Sequence, residues 1–147
     1  LFRSQNRTSR LDGVPKTLPA LSRAFSLQKK AAKAGFDWPE EQGILDKIRE
    51  EVGELETEMA RGDRLAEEEE LGDLLFSLVN LARRRGLDPE SALTGTNRKF
   101  TTRFQFIEKE AARTGRSLEE LTLEEMDGLW NEAKRLPVSK KGDADHP

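Results

Sequence analysis

The sequence has no cysteine and only one histidine, His146, which stands beside the last residue, Pro147. Disulfides and thiolate metal sites are therefore excluded, and a reducing compartment, the cytoplasm, is the location we expect. One histidine at a chain end cannot form a histidine metal site or the base of a serine or cysteine catalytic pair. We therefore interpret His146 as part of an unstructured tail.

Tyrosine is also absent, and no apolar run approaches the roughly 20 residues that a membrane-spanning helix needs. Charged residues make up 36% and hydrophobic residues 35% of the 147 residues, which is typical of amphipathic helices with charged outer faces. The net charge of -3 provides no broad basic surface for a nucleic-acid duplex. We predict an all-α, soluble protein with no membrane and no duplex partner.

Helix start and stop signals divide the chain into a linker or flexible segment over residues 1–17, one domain over residues 18–136 and a flexible tail over residues 137–147. Five helices are predicted within the domain. They run from near Leu18 to Gly35, over about residues 41–61, from about Leu65 to Arg85, from near Pro89 after Asp88 as N-cap, and over a short segment opened by a Thr122 and Glu125 capping box. Gly95 is a candidate break in the fourth helix.

The second and third helices carry apolar side chains at helical spacing, and the short connection between them predicts antiparallel neighbours. The predicted core stripes are Ile44, Ile48, Val52, Leu55 and Met59 on one helix and Leu71, Leu74, Leu75, Leu78, Leu81 and Ala82 on the other. Phe76 and Phe106 lie off their stripes, which favours either a subunit interface or another local helix as their partner.

Carboxylates lie on one strip of each of these two helices, beside the apolar stripes. The second helix contains E-E-x-x-E at Glu50, Glu51 and Glu54, and the third contains E-x-x-D at Glu70 and Asp73. Crowded carboxylates repel unless cations or protons separate them, and Mg²⁺ prefers oxygen ligands. The simpler interpretation is a solvated charged helix face. Gly53 and Gly72, inside these helices, indicate either close approach of backbone or metal, or tight packing.

With these flanking sequences, the chain resembles the MazG family of nucleotide pyrophosphohydrolases, in particular the C-terminal domain of two-domain bacterial members. The matching stretches cover about residues 9–136 and include LQKKAAKAGFDW, LDKIREEVGELE, EEELGDLLFSLVNLARRRG, NRKFTTRF and LEEMDGLWNEAKR. The resemblance implies an antiparallel all-α helical bundle that dimerises and hydrolyses nucleoside triphosphates to monophosphate and pyrophosphate with Mg²⁺, or Mn²⁺ as the alternative ion.

Site residues follow from the resemblance, position by position. Glu50 falls on the position that orients or deprotonates the attacking water. The metal-ligand positions are Glu51, Glu54, Glu70 and Asp73, and the substrate-binding positions are Lys47, Lys99, Arg103, Trp130 and Lys134. Without the resemblance, Lys99 and Arg103 would be interpreted as a solvated or salt-bridged pair and Trp130 as a core residue. Trp38 would be interpreted either as a core residue or as a base-stacking platform. The competing functions are a narrower dUTP, dCTP or phosphoribosyl-ATP pyrophosphohydrolase and a helical nucleotide-binding or dimerisation module without activity.

Overall fold

The computed structural model describes residues 8–137, and within that range all regular structure is helical. The helices are α1 (Ala20–Lys33), α2 (Glu41–Arg61), α3 (Arg64–Arg84), α4 (Pro89–Arg113) and α5 (Leu123–Arg135), with a short 3-10 helix at Leu118–Glu120. The all-α prediction is confirmed. His146 and the predicted tail beyond residue 137 lie outside the described residues. No helix in residues 8–137 is long and apolar enough to cross a membrane.

The chain divides into two compact units. The first extends to Leu93 and contains α1, α2, α3 and the start of α4; the second begins at Thr94 and contains the rest of α4, the 3-10 helix and α5. Gly95 lies inside a continuous helix, so it does not break α4.

Helices α2 and α3 form a hairpin in the first unit because two residues stop one helix and start the next. Gly62 takes a φ of 72°, a left-handed conformation that favours glycine, and its N–H donates to the Glu58 carbonyl at 3.1 Å. The Asp63 carboxylate then accepts the Ala66 N–H at 3.2 Å. A turn this short makes the helices antiparallel neighbours, as predicted, and α1 packs against α3.

Helix α1 begins at Ala20, later than predicted, because Pro19 has an extended ψ of 148° and is the N-cap. Pro19 offers no side-chain cap, and the Glu90 carboxylate of α4 instead accepts the Ser22 N–H at 3.2 Å. A carboxylate at a helix N-terminus is favourable because free N–H groups and the helix dipole both point toward it. This contact joins α1 to the first turn of α4 within the first unit.

Two predicted helix starts are confirmed by their caps. The Asp88 carboxylate accepts the N–H groups of Glu90 at 3.0 Å and Ser91 at 3.3 Å. At α5, the Thr122 hydroxyl accepts the Glu125 N–H at 3.1 Å, and the Glu125 carboxylate accepts the Thr122 N–H, which completes the capping box.

The buried core of the first unit is smaller than the predicted stripes. Ile44 and Val79 are buried, and Val14, from the segment predicted to be a linker, joins them. Several members of the apolar stripes are not buried in this chain: Val52, Met59, Leu71, Leu75 and Leu78 are each at least two-fifths exposed. The apolar surface of the hairpin is thus wider than the surface this chain covers.

Candidate metal centre

The hairpin brings three predicted carboxylates to one point. Glu51 of α2 and Glu70 and Asp73 of α3 each place a carboxylate oxygen within 4.8 Å of the other two. Glu70 and Asp73 share a face of α3 because they are three residues apart, and the antiparallel turn sets that face against Glu51. The two-helix geometry therefore joins motifs that are separated in sequence.

Lys47 is the cation that this cluster already contains. Its Nζ lies 2.8 Å from Oε1 of Glu51 and 3.5 Å from Oε1 of Glu50. The hydrogen bond from Lys47 holds the pKa of Glu51 below its usual value although Glu51 is buried, and the same bond raises the pKa of Lys47. Glu51 is therefore an ionised carboxylate with very little exposure to water.

The remaining negative charge is only partly compensated. Oε2 of Glu51 and Oε2 of Glu70 are both buried, and no donor from residues 8–137 reaches either of them. Hydrogen bonding to Glu51, loss of solvent and the neighbouring negative charges raise the pKa of Glu70 to about 7. A proton retained by Glu70 is one way to relieve the repulsion, and a cation among the carboxylates is another.

This donor set fits Mg²⁺. All ligand atoms are oxygens, which suits a hard divalent ion, and the buried oxygens without donors have unused acceptor capacity for a positive partner. Oxygens bound to one Mg²⁺ at about 2.1 Å lie at most about 4.2 Å apart, so the three present oxygens need only small side-chain rotations. The cluster of Glu51, Glu70 and Asp73 can therefore hold a metal ion.

The other two acidic candidates border this triad. Glu54 lies within hydrogen-bonding reach of Glu51 and Glu70, although it is more exposed than either. Glu50 has a side chain that is 56% exposed and contacts Lys47. An exposed carboxylate beside the triad is available to a water molecule, whereas Glu51 is not.

The remaining predicted residues lie in the second unit. Trp130 of α5 packs against Phe100 of α4 with ring centroids 5.4 Å apart, and the Arg103 guanidinium lies 5.5 Å from the Trp130 ring centroid. This cation–π contact organises two predicted substrate residues into one group. Lys99 and Lys134 are exposed on α4 and α5. The roles of all four toward a nucleotide stay predictions.

The glycine that a neighbouring side chain approaches closely is not one of the two for which the sequence suggested it. A Cβ on Gly53 or Gly72 would meet no atom within 4 Å, so the expected close approach at these glycines is not found within this chain. Gly43 is the glycine that a neighbour does approach: a Cβ there would lie 2.9 Å from Cε3 of Trp38. The sequence signal was available in Trp38-Pro39 followed by Gly43, but glycine in a helix has several explanations.

Comparison with known proteins identifies relatives over this region. The MazG nucleotide pyrophosphohydrolase domain matches residues 40–106, a range that contains the carboxylates, Lys47, Lys99 and Arg103 but excludes Trp130 and Lys134. The chain is 43% identical over 132 residues to the nucleoside triphosphate pyrophosphohydrolase/pyrophosphatase MazG of Thermotoga maritima, covering 90% of this chain and 51% of the relative.

Two further relatives show the same partial coverage. The nucleoside triphosphate pyrophosphohydrolase of Escherichia coli K12 is 43% identical over 132 residues, covering 88% of this chain and 50% of the relative. The uncharacterized protein YabN of Bacillus subtilis is 50% identical over 133 residues, covering 90% of this chain and 27% of the relative. The chain thus spans about half the length of the two pyrophosphohydrolases it matches.

Proposed function

We propose that this chain, of which residues 40–106 match the MazG nucleotide pyrophosphohydrolase domain, hydrolyses ribo- and deoxyribonucleoside triphosphates to the monophosphate and pyrophosphate. The observation that carries the proposal is the convergence of Glu51, Glu70 and Asp73 oxygens within 4.8 Å beside Lys47. A triphosphate is strongly anionic, so a carboxylate cluster can accept it only with cations between them. The two relatives named as pyrophosphohydrolases support the same reaction.

In this proposal Glu51, Glu54, Glu70 and Asp73 hold Mg²⁺, with Mn²⁺ as the alternative ion. The bound ion supplies charge neutralisation of the polyphosphate and Lewis acidity. Glu51 suits a ligand role because it is buried, ionised and already hydrogen bonded to Lys47, which fixes its orientation.

Glu50 is the proposed general base. It accepts a proton from the attacking water as the new phosphorus–oxygen bond forms, and the bond joining the α and β phosphates breaks, releasing pyrophosphate. Its exposure leaves it open to water, and its carboxylate lies 3.5 Å from the Lys47 ammonium group beside the triad. Lys47, Lys99 and Arg103 compensate phosphate charge, while Trp130 and Lys134 contact the nucleotide.

The test is a panel of nucleoside and deoxynucleoside triphosphates with Mg²⁺, scored separately for pyrophosphate and orthophosphate. Stoichiometric pyrophosphate and monophosphate from several bases supports the proposal. Activity on dUTP, dCTP or phosphoribosyl-ATP alone would favour a narrower enzyme, and binding without turnover would favour a non-catalytic module. Glu56→Gln is the matched control because Glu56 is an exposed carboxylate on the opposite face of α2.

We also propose that the protein is a homodimer in which α3 contributes to the subunit interface. Leu71, Leu75 and Leu78 share one face of α3, and each is 44% to 47% exposed in the isolated chain. An apolar helix face of this kind favours burial against a second copy, which presents the same face by symmetry. Phe76, which is 47% exposed, extends the apolar surface of α3.

Sedimentation velocity tests the dimer. Leu75→Glu introduces a charge into this face and is expected to shift the protein to monomer, whereas Leu65→Glu, at an exposed position off the face, keeps the dimer. A wild-type protein that sediments only as a monomer at working concentration would contradict the proposal.

A further inference from the structure

Trp38 lies in the connection between α1 and α2, with its ring over the first turn of α2. A Cβ on Gly43 would lie 2.9 Å from Cε3, 3.4 Å from Cζ3 and 3.6 Å from Cδ2 of this ring. Only glycine lets the indole lie this close to the helix. Trp38 as a whole nevertheless remains 41% exposed, so it packs against α2 without being buried in the core.

Two arginines at the end of α3 fix the backbone that carries Trp38. Arg84 donates to the carbonyl of Trp38 at 2.6 Å and to the carbonyl of Pro39 at 3.1 Å. Arg83 donates to the Asp37 carboxylate at 2.6 Å, and Arg84 also reaches that carboxylate. Guanidinium groups in fixed bidentate contacts lose little further entropy, so they hold the loop, and with it the indole, before any ligand arrives.

Gly43, against which the Trp38 ring packs, lies on the same strip of α2 as the proposed metal site. At 100° per residue, Gly43, Lys47, Glu50 and Glu54 fall within a narrow sector of the helix, with Glu51 at its edge. Gly43 precedes Lys47 by about 6 Å and Glu51 by about 12 Å along the helix axis, from a rise of 1.5 Å per residue. An aromatic ring, an ammonium group and the carboxylates therefore follow one another along one face, over a length comparable to an extended nucleotide.

We propose that the Trp38 indole is a stacking platform for the nucleobase of the substrate; this inference rests on the proposed function of the neighbouring carboxylates. The phosphates lie toward the carboxylates and Lys47, and the base lies toward Gly43. Stacking recognises the π-face that every base has, so Trp38 contributes affinity with little choice among bases. Phe36 lies on the same loop but is 85% exposed, so its ring has far less packing than that of Trp38, and we give it no part in the platform.

Equilibrium binding separates the base from the phosphates. With Mg²⁺ present, calorimetry measures the affinity for an α,β-methylene nucleoside triphosphate, which resists cleavage, and for inorganic tripolyphosphate, which lacks a base. Trp38→Ala is expected to weaken binding of the nucleotide analogue by about tenfold or more, the order of a lost stacking contact, and to leave tripolyphosphate affinity unchanged. Trp38→Phe keeps a ring and retains most of the affinity, and Phe36→Ala is the matched control with wild-type affinity for both.

A second variant moves the ring without removing it. Gly43→Ala places a methyl group where the indole now lies, so the ring must shift, and we expect an intermediate loss for the nucleotide analogue alone. Thermal unfolding of each variant separates a folding defect from a binding defect.

Three results would overturn the platform. The first is an equal loss of tripolyphosphate and nucleotide affinity in Trp38→Ala, which would make the ring a support for the phosphate site. The second is no change in either affinity in Trp38→Ala. The third is a loss of the base-dependent affinity in Trp130→Ala alone. The proposed function fails separately, when the wild-type protein binds neither analogue or releases no pyrophosphate from any triphosphate. Pyrophosphate release together with an unaffected Trp38→Ala variant would contradict only the platform.

Discussion

Replacing Lys47 with methionine tests how the cluster is held together before metal binds. The substitution keeps the apolar stem of the side chain but removes the ammonium group that lies 2.8 Å from Glu51. Breaking a fully buried ion pair costs about 3–5 kcal/mol, and an exposed pair contributes about 0–1 kcal/mol. The Glu51 side chain is 4% exposed and that of Lys47 is 36% exposed, so this pair lies between the two cases. We expect the free energy of unfolding to fall by about 1–2 kcal/mol at neutral pH without divalent ions.

Urea unfolding in excess EDTA measures this loss. With a denaturant dependence of about 2 kcal/mol per molar, the midpoint of Lys47→Met should fall by roughly half to one molar. Glu50→Gln, which removes only the 3.5 Å contact to an exposed carboxylate, should stay within about 0.5 kcal/mol of wild type. Adding Mg²⁺ should narrow the Lys47→Met deficit because a cation among the carboxylates replaces part of the lost charge. An unchanged midpoint in EDTA, or a deficit that grows with Mg²⁺, would refute this reasoning.

Three further outcomes follow from the site and the fold. Glu54→Gln should raise the Mg²⁺ concentration needed for nucleotide binding, whereas Glu50→Gln should bind metal and nucleotide normally and lose about 100-fold in kcat; near-normal turnover by Glu50→Gln would remove its role as base. Pyrophosphate release should stop in excess EDTA and return with Mg²⁺ or Mn²⁺, so full turnover in EDTA would contradict the metal requirement. Finally, the hydrogen bond from Arg116 lowers the pKa of Glu125 from 4.5 to about 2. Its stabilisation is therefore complete above pH 4.5 and is lost as the pH falls toward 2. Thermal denaturation should show Glu125→Gln less stable than wild type at pH 7, with the two converging in acid; a constant difference would exclude this ion pair as the cause.

Helix limits were predictable because their signals are local. The α2 to α3 turn depends on Gly62 and Asp63, and the start of α5 depends on Thr122 and Glu125, which bond within three residues of each other. The start of α1 was predicted too early, near Leu18. A proline fits both the first helical position and the residue before it, and only the observed ψ of Pro19 shows that it is the N-cap.

The extent of the core could not be predicted, because a hydrophobic stripe indicates which surface of a helix is apolar but does not identify what covers that surface. Leu71, Leu75 and Leu78 repeat at helical spacing just as buried residues do, yet they remain partly exposed in the isolated chain. Periodicity therefore overestimated the surface that this chain covers by itself.

The sequence by itself determined that the protein is helical, that α2 and α3 pair, and that Glu51, Glu70 and Asp73 face one another, since each step follows from helical periodicity and one short turn. Only the tertiary structure decided that Glu51 is buried against Lys47, that Glu70 has a raised pKa, and that Trp38 lies on Gly43. Burial and pKa depend on every group packed around a side chain, and the Trp38 loop is held by arginines more than forty residues away. The spacing of residues along a chain does not show which groups will become such neighbours.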